Sequence, residues 1–150
     1  MDSPTAVVVL PTRELCQQVE QVARSYLRPL GFNTVALYGG SDKRGQIRAI
    51  RDGVDLVVAT PGRLLDLMGK RDSGPVISLE DTTFVTLDEA DRMLDMGFEN
   101  DVREIMSSGL DLQYSSHTVK CHQKPSLIVK LSKYVISSKI LIRVKRPFLL

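Results

Sequence analysis

Apolar positions along the first 106 residues alternate between two periods. Ala6 to Leu10 is an unbroken apolar run with three valines in a row, the pattern of a strand buried on both faces. Leu15, Cys16, Val19, Val22, Ala23, Tyr26, Leu27 and Leu30 follow at the i, i+1, i+4, i+7, i+8 spacing of an amphipathic helix, which Pro29 and Gly31 close. The cycle then repeats. Asn33 to Tyr38 reads as a strand and Gly39-Gly40 as a turn; Ser41 is an N-cap for a helix carrying Ile47 and Ile50, and Gly53 ends it. Asp55 to Ala59 is a third strand. Thr60 caps a helix with Pro61 at its first position, where the missing N–H costs nothing, and with Leu64, Leu65 and Met68 facing inward. Thr83 to Leu87 is a fourth strand, Asp88 to Leu94 turns into a helix, and Phe98, Val102, Ile105 and Met106 mark one more. The longest loop is expected between Gly69 and Asp81, turning at Asp72-Ser73-Gly74-Pro75. Strands alternating with helices of this length predict an α/β fold with a parallel sheet and flanking helices.

A polar group follows each predicted strand: Pro11-Thr12-Arg13-Glu14, Gly39-Gly40, Thr60-Pro61-Gly62-Arg63 and Asp88-Glu89-Ala90-Asp91. In open α/β sheets the carboxyl ends of the strands form the ligand-binding rim. Taken singly, Thr12, Ser41 and Thr60 read as ordinary helix caps, and Glu14 as a cap or an ion pair holding the rim loops. The fourth group is different, because Asp88, Glu89 and Asp91 repel one another without any gain in packing. A helix dipole favours acids in its first turn. In phosphoryl-transfer sites, though, a strand-end aspartate holds Mg²⁺ through water and a neighbouring acid orients or deprotonates the attacking water.

Composition narrows the class. A chain of 150 residues with 43% hydrophobic and 25% charged residues is ordinary for one globular domain, not a disordered chain or a disulfide scaffold. Cys16 and Cys121 are too few for a disulfide framework, and Cys16 falls on the apolar helix stripe, where burial is expected. No apolar stretch is long enough to span a membrane, and the start, Met1-Asp2-Ser3-Pro4-Thr5, lacks a basic n-region. An intracellular protein, of nucleus or cytoplasm, is therefore expected. The net charge of +2 conceals a division: residues 1–112 sum to −6, whereas residues 113–150 contain no acid and sum to +8. The change suggests two unlike segments joined near Leu112.

The run Thr86-Leu87-Asp88-Glu89-Ala90-Asp91-Arg92-Met93-Leu94-Asp95-Met96-Gly97-Phe98 closely resembles motif II of the DEAD-box RNA helicases. Pro11-Thr12-Arg13-Glu14-Leu15 resembles their motif Ia, Gly39-Gly40 their double-glycine element, and Thr60-Pro61-Gly62-Arg63 their motif Ib, all in the family's order. The resemblance covers residues 6–106. It implies a partial RecA-like sheet of the P-loop NTPase type over residues 1–108, with a basic tail over 109–150. It also implies ATP hydrolysis coupled to RNA binding and unwinding, with ATP and Mg²⁺ as cofactors and RNA as partner. Asp88 would help hold Mg²⁺ through water, Glu89 would activate the hydrolytic water, and Asp91 would tie the ATP site to motif III and to a partner domain. Thr12, Arg13, Gly39, Gly40, Thr60, Gly62 and Arg63 would line the RNA path.

Parts of the family pattern have no counterpart here. No Gly-x-x-x-x-Gly-Lys-Ser/Thr loop occurs, nor the adenine-reading Q motif, nor a Ser-Ala-Thr after Asp91; Ser115-Ser116-His117-Thr118 does not match it. The expectation is thus a truncated helicase whose sheet lacks its first, central strand and its P-loop, and which is inactive alone. Two rivals stand beside it: a non-catalytic RNA- or protein-binding fragment, and a helicase-like ATPase acting on DNA. In the tail, lysines break up the apolar triplets Leu127-Ile128-Val129, Tyr134-Val135-Ile136 and Ile140-Leu141-Ile142. That pattern fits a basic amphipathic segment, a pair of strands, or sequence with no selected fold. His117, Cys121 and His122 have no matching partner cluster, so no metal site is expected there.

Overall fold

The computed structural model describes residues 3–71, 74–108, 112–113 and 139–144. Strand β1 (Ala6–Val9) leads into helix α1 (Arg13–Leu27), which tightens into a 3-10 turn over Arg28–Leu30. Then come β2 (Thr34–Leu37), α2 (Lys43–Arg51), β3 (Leu56–Ala59), α3 (Pro61–Leu67), β4 (Phe84–Asp88), α4 (Ala90–Asp95) and α5 (Glu99–Ser107). Each predicted strand and helix of the first 106 residues is present. β5 (Leu112–Gln113) and β6 (Lys139–Val144) complete a sheet of order β2-β3-β1-β4-β6-β5.

The first four strands are parallel and in register, with Leu37, Ala59, Val9 and Leu87 side by side. The chain travels from β1 outward over β3 to β2, then back through β3 and over β1 to β4. Right-handed crossovers therefore put α1 on one face and α2 and α3 on the other. The contacts agree. Cys16 of α1 packs with Leu10 and Val58, whereas Ile50, Leu64, Leu65, Met93 and Ile105 pack with Val7, Val9, Val57, Val85 and Leu87 on the opposite face.

The four parallel strands pair without a gap, with β1 flanked by β3 and β4. The far edge of β4 is taken by β6, antiparallel, with Asp88 opposite Lys139. Of the tail readings, the strand reading holds at Ile140-Leu141-Ile142. Leu127-Ile128-Val129, Tyr134-Val135-Ile136, His117, Cys121 and His122 lie outside the described residues, as do Asp72 and Ser73 of the predicted turn.

Burial departs from the sequence pattern in two places. β1 is fully buried only at Val7 and Val9, while Ala6 and Val8 on the α1 face are half-buried. The apolar stripe of α1 is also wider than its buried side. Cys16 and Glu20 are buried, but Val22 and Tyr26 are 59% and 74% exposed. Glu20 tolerates burial because its Oε1 accepts bonds from Thr34 Oγ1 at 2.7 Å and Arg24 Nε at 2.8 Å.

The long loop returns against α3 through Val76 and Ile77, whose N–H groups both bond to the Leu67 carbonyl. Gly69 makes this return possible: its φ is +75°, and a Cβ there would lie 2.8 Å from the Pro75 nitrogen. Gly69→Ala is expected to lower unfolding stability by about 1–3 kcal/mol in urea titration, from left-handed strain plus the clash. Gly74→Ala, which meets nothing within 4 Å, serves as the control and is expected to be neutral.

Candidate functional site

Because the four strands end in register, their exits share one edge of the sheet. Across that edge they run Gly39-Gly40 (β2), Thr60 to Arg63 (β3), Pro11 to Glu14 (β1) and Asp88 to Asp91 (β4). At ~4.8 Å per strand the row is roughly 14 Å wide. Every residue singled out from the sequence therefore lies on one rim.

Local chemistry shapes each exit. Thr12 caps α1, its Oγ1 accepting the Leu15 N–H at 3.3 Å. Arg13 pairs with its neighbour Glu14 at 2.7 Å, both side chains being well exposed. That hydrogen bond and charge hold the Glu14 carboxyl below its ordinary range and Arg13 above its own. Glu14 is thus an ion-pair partner, as expected, though within its own turn and not between loops. Gly40 has φ +74°, and a Cβ there would sit 3.8 Å from Arg13 Nη1, so the β1 and β2 exits meet at this point. Cys16, one turn into α1, is fully buried, and burial pushes its thiol up to about 12. It stays protonated and inert.

Two caps differ from the sequence reading. Asp42, not Ser41, caps α2, its carboxylate accepting from Arg44 N at 3.0 Å and Gly45 N at 3.1 Å. A carboxylate with two oxygens satisfies two orphan N–H groups where a hydroxyl satisfies one. Ser41 instead donates to the Tyr38 carbonyl at 3.1 Å. Thr60 occupies the N-cap position of α3 without a side-chain capping bond, which leaves its hydroxyl on the rim.

Arg63 is the most enclosed of the predicted rim cations. Its side chain is 12% exposed, Nη1 donates to Gln46 Oε1 at 3.3 Å, and Nε lies 3.9 Å from Asp66, which also pairs with Lys43 at 2.7 Å. Gln46 and Asp66 escaped sequence reasoning. The available signal was position: Gln46 stands one helical turn before Ile50 on the inward side of α2, where an apolar residue is the norm.

At the β4 exit, Asp88 Oδ1 accepts the Glu89 N–H at 3.0 Å. Glu89 has φ +55° and ψ +43°, and among the described residues it is the one non-glycine with positive φ. A left-handed residue with a Cβ costs about 1–2 kcal/mol, and such strain concentrates at functional positions. It persists here because the Leu87 and Ala90 side chains on either side of the turn are buried. Glu89 is half-exposed and only loosely paired with Arg92 at 3.5 Å; Asp91 is exposed in the first turn of α4. Among the described residues no three acidic, His or Cys side chains converge as a metal cage. A strand-end carboxylate still suits Mg²⁺, which keeps several waters and takes one or two carboxylates.

A family model described as DEAD/DEAH box helicase matches residues 1–128. The chain belongs to this family, as a DEAD-box RNA helicase sequence. It is 53% identical over 106 residues to DEAD-box ATP-dependent RNA helicase 5 of Arabidopsis thaliana, and 47% identical over 107 residues to the pre-mRNA-splicing ATP-dependent RNA helicase PRP28 of Phaeosphaeria nodorum. Each match covers 71% of this chain but only 19% and 14% of those helicases, so the chain spans less than a fifth of their length. Two solved structures share the fold. The yeast DEAD-box splicing factor Prp28 aligns with TM-score 0.65 and 30% identity over 72% of this chain and 24% of its own. A hypothetical ATP-dependent RNA helicase from Sulfolobus tokodaii aligns with TM-score 0.66 and 36% identity over 89% of this chain and 38% of its own. The DEAD-box sheet is therefore of the RecA-like kind expected from the sequence.

Backbone strain at Glu89 is directly measurable. Glu89→Gly is expected to stabilise the fold by about 0.5–1 kcal/mol in chemical denaturation, since glycine tolerates the left-handed conformation. A loss of stability of similar size would show that the residue is not strained.

Proposed function

We propose that this chain supplies the RNA-gripping rim and the water-activating carboxylates of an ATP-dependent RNA helicase, with residues 1–108 as a partial RecA-like ATP-binding domain and 109–150 as a basic tail. The observation that carries the reading is the gathering of four strand exits on one edge in register. RNA gripped without regard to sequence needs contacts to phosphates and 2′-hydroxyls. Thr60 offers a hydroxyl, Arg13 an exposed guanidinium, and Thr12 marks a helix start whose N–H groups suit phosphate oxygens. Gly39 would carry a Cβ without any contact within 4 Å, and Gly62 with only ordinary contacts at 3.8 and 3.9 Å. Packing among the described residues does not require glycine at either place, which supports a close approach of another backbone there.

The carboxylates take separate tasks. Asp88, half-buried at the strand end, is placed to bind a water of a hydrated Mg²⁺, which supplies charge neutralisation for phosphate when bound. Glu89, held outward by its unusual backbone, is placed to accept a proton from water. Asp91, exposed on α4, is placed to bond a neighbouring domain. The residues present do not complete an ATP site, because no Gly-x-x-x-x-Gly-Lys-Ser/Thr loop occurs among the 150. That absence favours a second reading for the 150-residue polypeptide by itself, a non-catalytic RNA- or protein-binding unit. Similarity to pre-mRNA-splicing helicases favours a nuclear setting.

Two titrations on the 150-residue chain test these readings together. Fluorescence anisotropy is expected to show tighter binding to single-stranded RNA than to DNA of equal length. Arg13→Ala is expected to weaken RNA binding about fivefold and to lower the salt slope by about one. Calorimetry is expected to show no tight binding of ATP-Mg²⁺. Equal affinity for RNA and DNA with no effect of Arg13→Ala would contradict the rim. Micromolar ATP binding would contradict the incomplete nucleotide site.

A further inference from the structure

We propose that Gln46 is a positioning residue for the RNA rim, locking the β2 and β3 exits together through one side-chain amide; this rests on the reading of the rim given above. Gln46 lies on α2 and is 8% exposed. Its Nε2 donates to the Tyr38 carbonyl at 3.1 Å and to Ser41 Oγ at 2.5 Å, and its Oε1 accepts from Arg63 Nη1 at 3.3 Å. Tyr38 and Ser41 are the residues that bracket Gly39-Gly40. Arg63 closes the Thr60 to Arg63 turn. Both N–H donors and the carbonyl of the amide are therefore spent on rim backbone and rim side chains.

Gln46 thus joins the two turns from a buried point. The Gly39-Gly40 turn needs such a hold. Its glycines have no side chains with which to pack, and Gly39 has no neighbour within 4 Å of where a Cβ would be. Arg63 is restrained in turn by Asp66, which Lys43 at the start of α2 also holds. The chain of contacts runs from the β2 exit through Gln46 to Arg63, Asp66 and back to α2. On this arrangement Arg63 acts chiefly as a brace, and the bare backbone of Gly39, Gly40 and Gly62 presents the contacts to RNA. A buried amide with all its groups satisfied gives a fixed geometry, whereas an apolar residue of similar size would leave the Tyr38 carbonyl and Arg63 to relax independently.

The test uses the full chain, with Gln46→Leu to remove both arms. Gln46→Glu serves as a second variant; it keeps an acceptor for Arg63 and gives up the donors to Tyr38 and Ser41. Binding is read by anisotropy with labelled poly(U), and backbone opening by amide hydrogen exchange. Gln46→Leu is expected to weaken RNA binding about tenfold, with faster exchange in both the Gly39–Ser41 and Thr60–Arg63 turns. Gln46→Glu is expected to lose protection in the first turn only. Combined with Arg63→Ala, the loss in binding is expected to fall short of the product of the two single losses. Folded Gln46 variants with unchanged exchange in both turns, unchanged RNA affinity, or losses that multiply with Arg63→Ala would overturn the inference. Failure of the unaltered chain to bind poly(U) would instead overturn the rim reading, and the exchange data alone would then decide whether the two turns are locked.

Discussion

The structure depends on one constraint: four parallel strands paired in a single register. Parallel pairing with right-handed crossovers forces every connection to leave from the same end of the sheet. Once Leu37, Ala59, Val9 and Leu87 stand side by side, the residues that follow them have no choice but to share an edge. Four short polar groups scattered over about eighty positions of sequence become neighbours without any long-range polar contact having to gather them. The apolar strands and the helices on both faces supply the stability, and the rim is carried along. This separation of labour is why the rim tolerates groups that do little for folding: an exposed Arg13–Glu14 pair, an unused Thr60 hydroxyl and three acids in one turn.

The two ends of the rim are held by different physics. At the β4 end the hold is strain, with Glu89 kept in a left-handed backbone between a buried strand and a buried helix start. Its carboxylate is thereby aimed without a strong partner. At the β2 and β3 end the hold is hydrogen bonding, through Gln46, Arg63 and Asp66. Strain suits a group that must present a free charge, and a satisfied polar network suits glycine turns that have no side chains of their own.

Much of this is legible in the sequence. The change between a period of two and a period of 3.6 located the strands and helices of the first 106 residues, and strand-exit logic located the rim. What escaped were polar residues in apolar positions. Glu20 and Gln46 occupy inward helical sites, and their burial follows from partners supplied by β2 and α3, which no local pattern encodes. The overwide stripe of α1 misled in the opposite sense. Val22 and Tyr26 continue its apolar spacing but stay exposed, because the crossover over β3 fixes which side of the helix meets the strands. Ser41 read as the α2 cap in sequence, and the two-oxygen carboxylate of Asp42 takes that place in the structure.

The central claim is that the rim, and not the rest of the surface, meets RNA. Amide chemical-shift mapping of the isotope-labelled 150-residue chain, titrated with single-stranded RNA, tests it most directly. The account predicts shifts concentrated at the Thr12, Arg13, Gly39, Gly40, Thr60 and Gly62 amides, with Asn33, Gly53 and Thr83 at the opposite end of the strands unmoved. Shifts spread evenly over both ends of the sheet, or absent from the strand exits altogether, would contradict it.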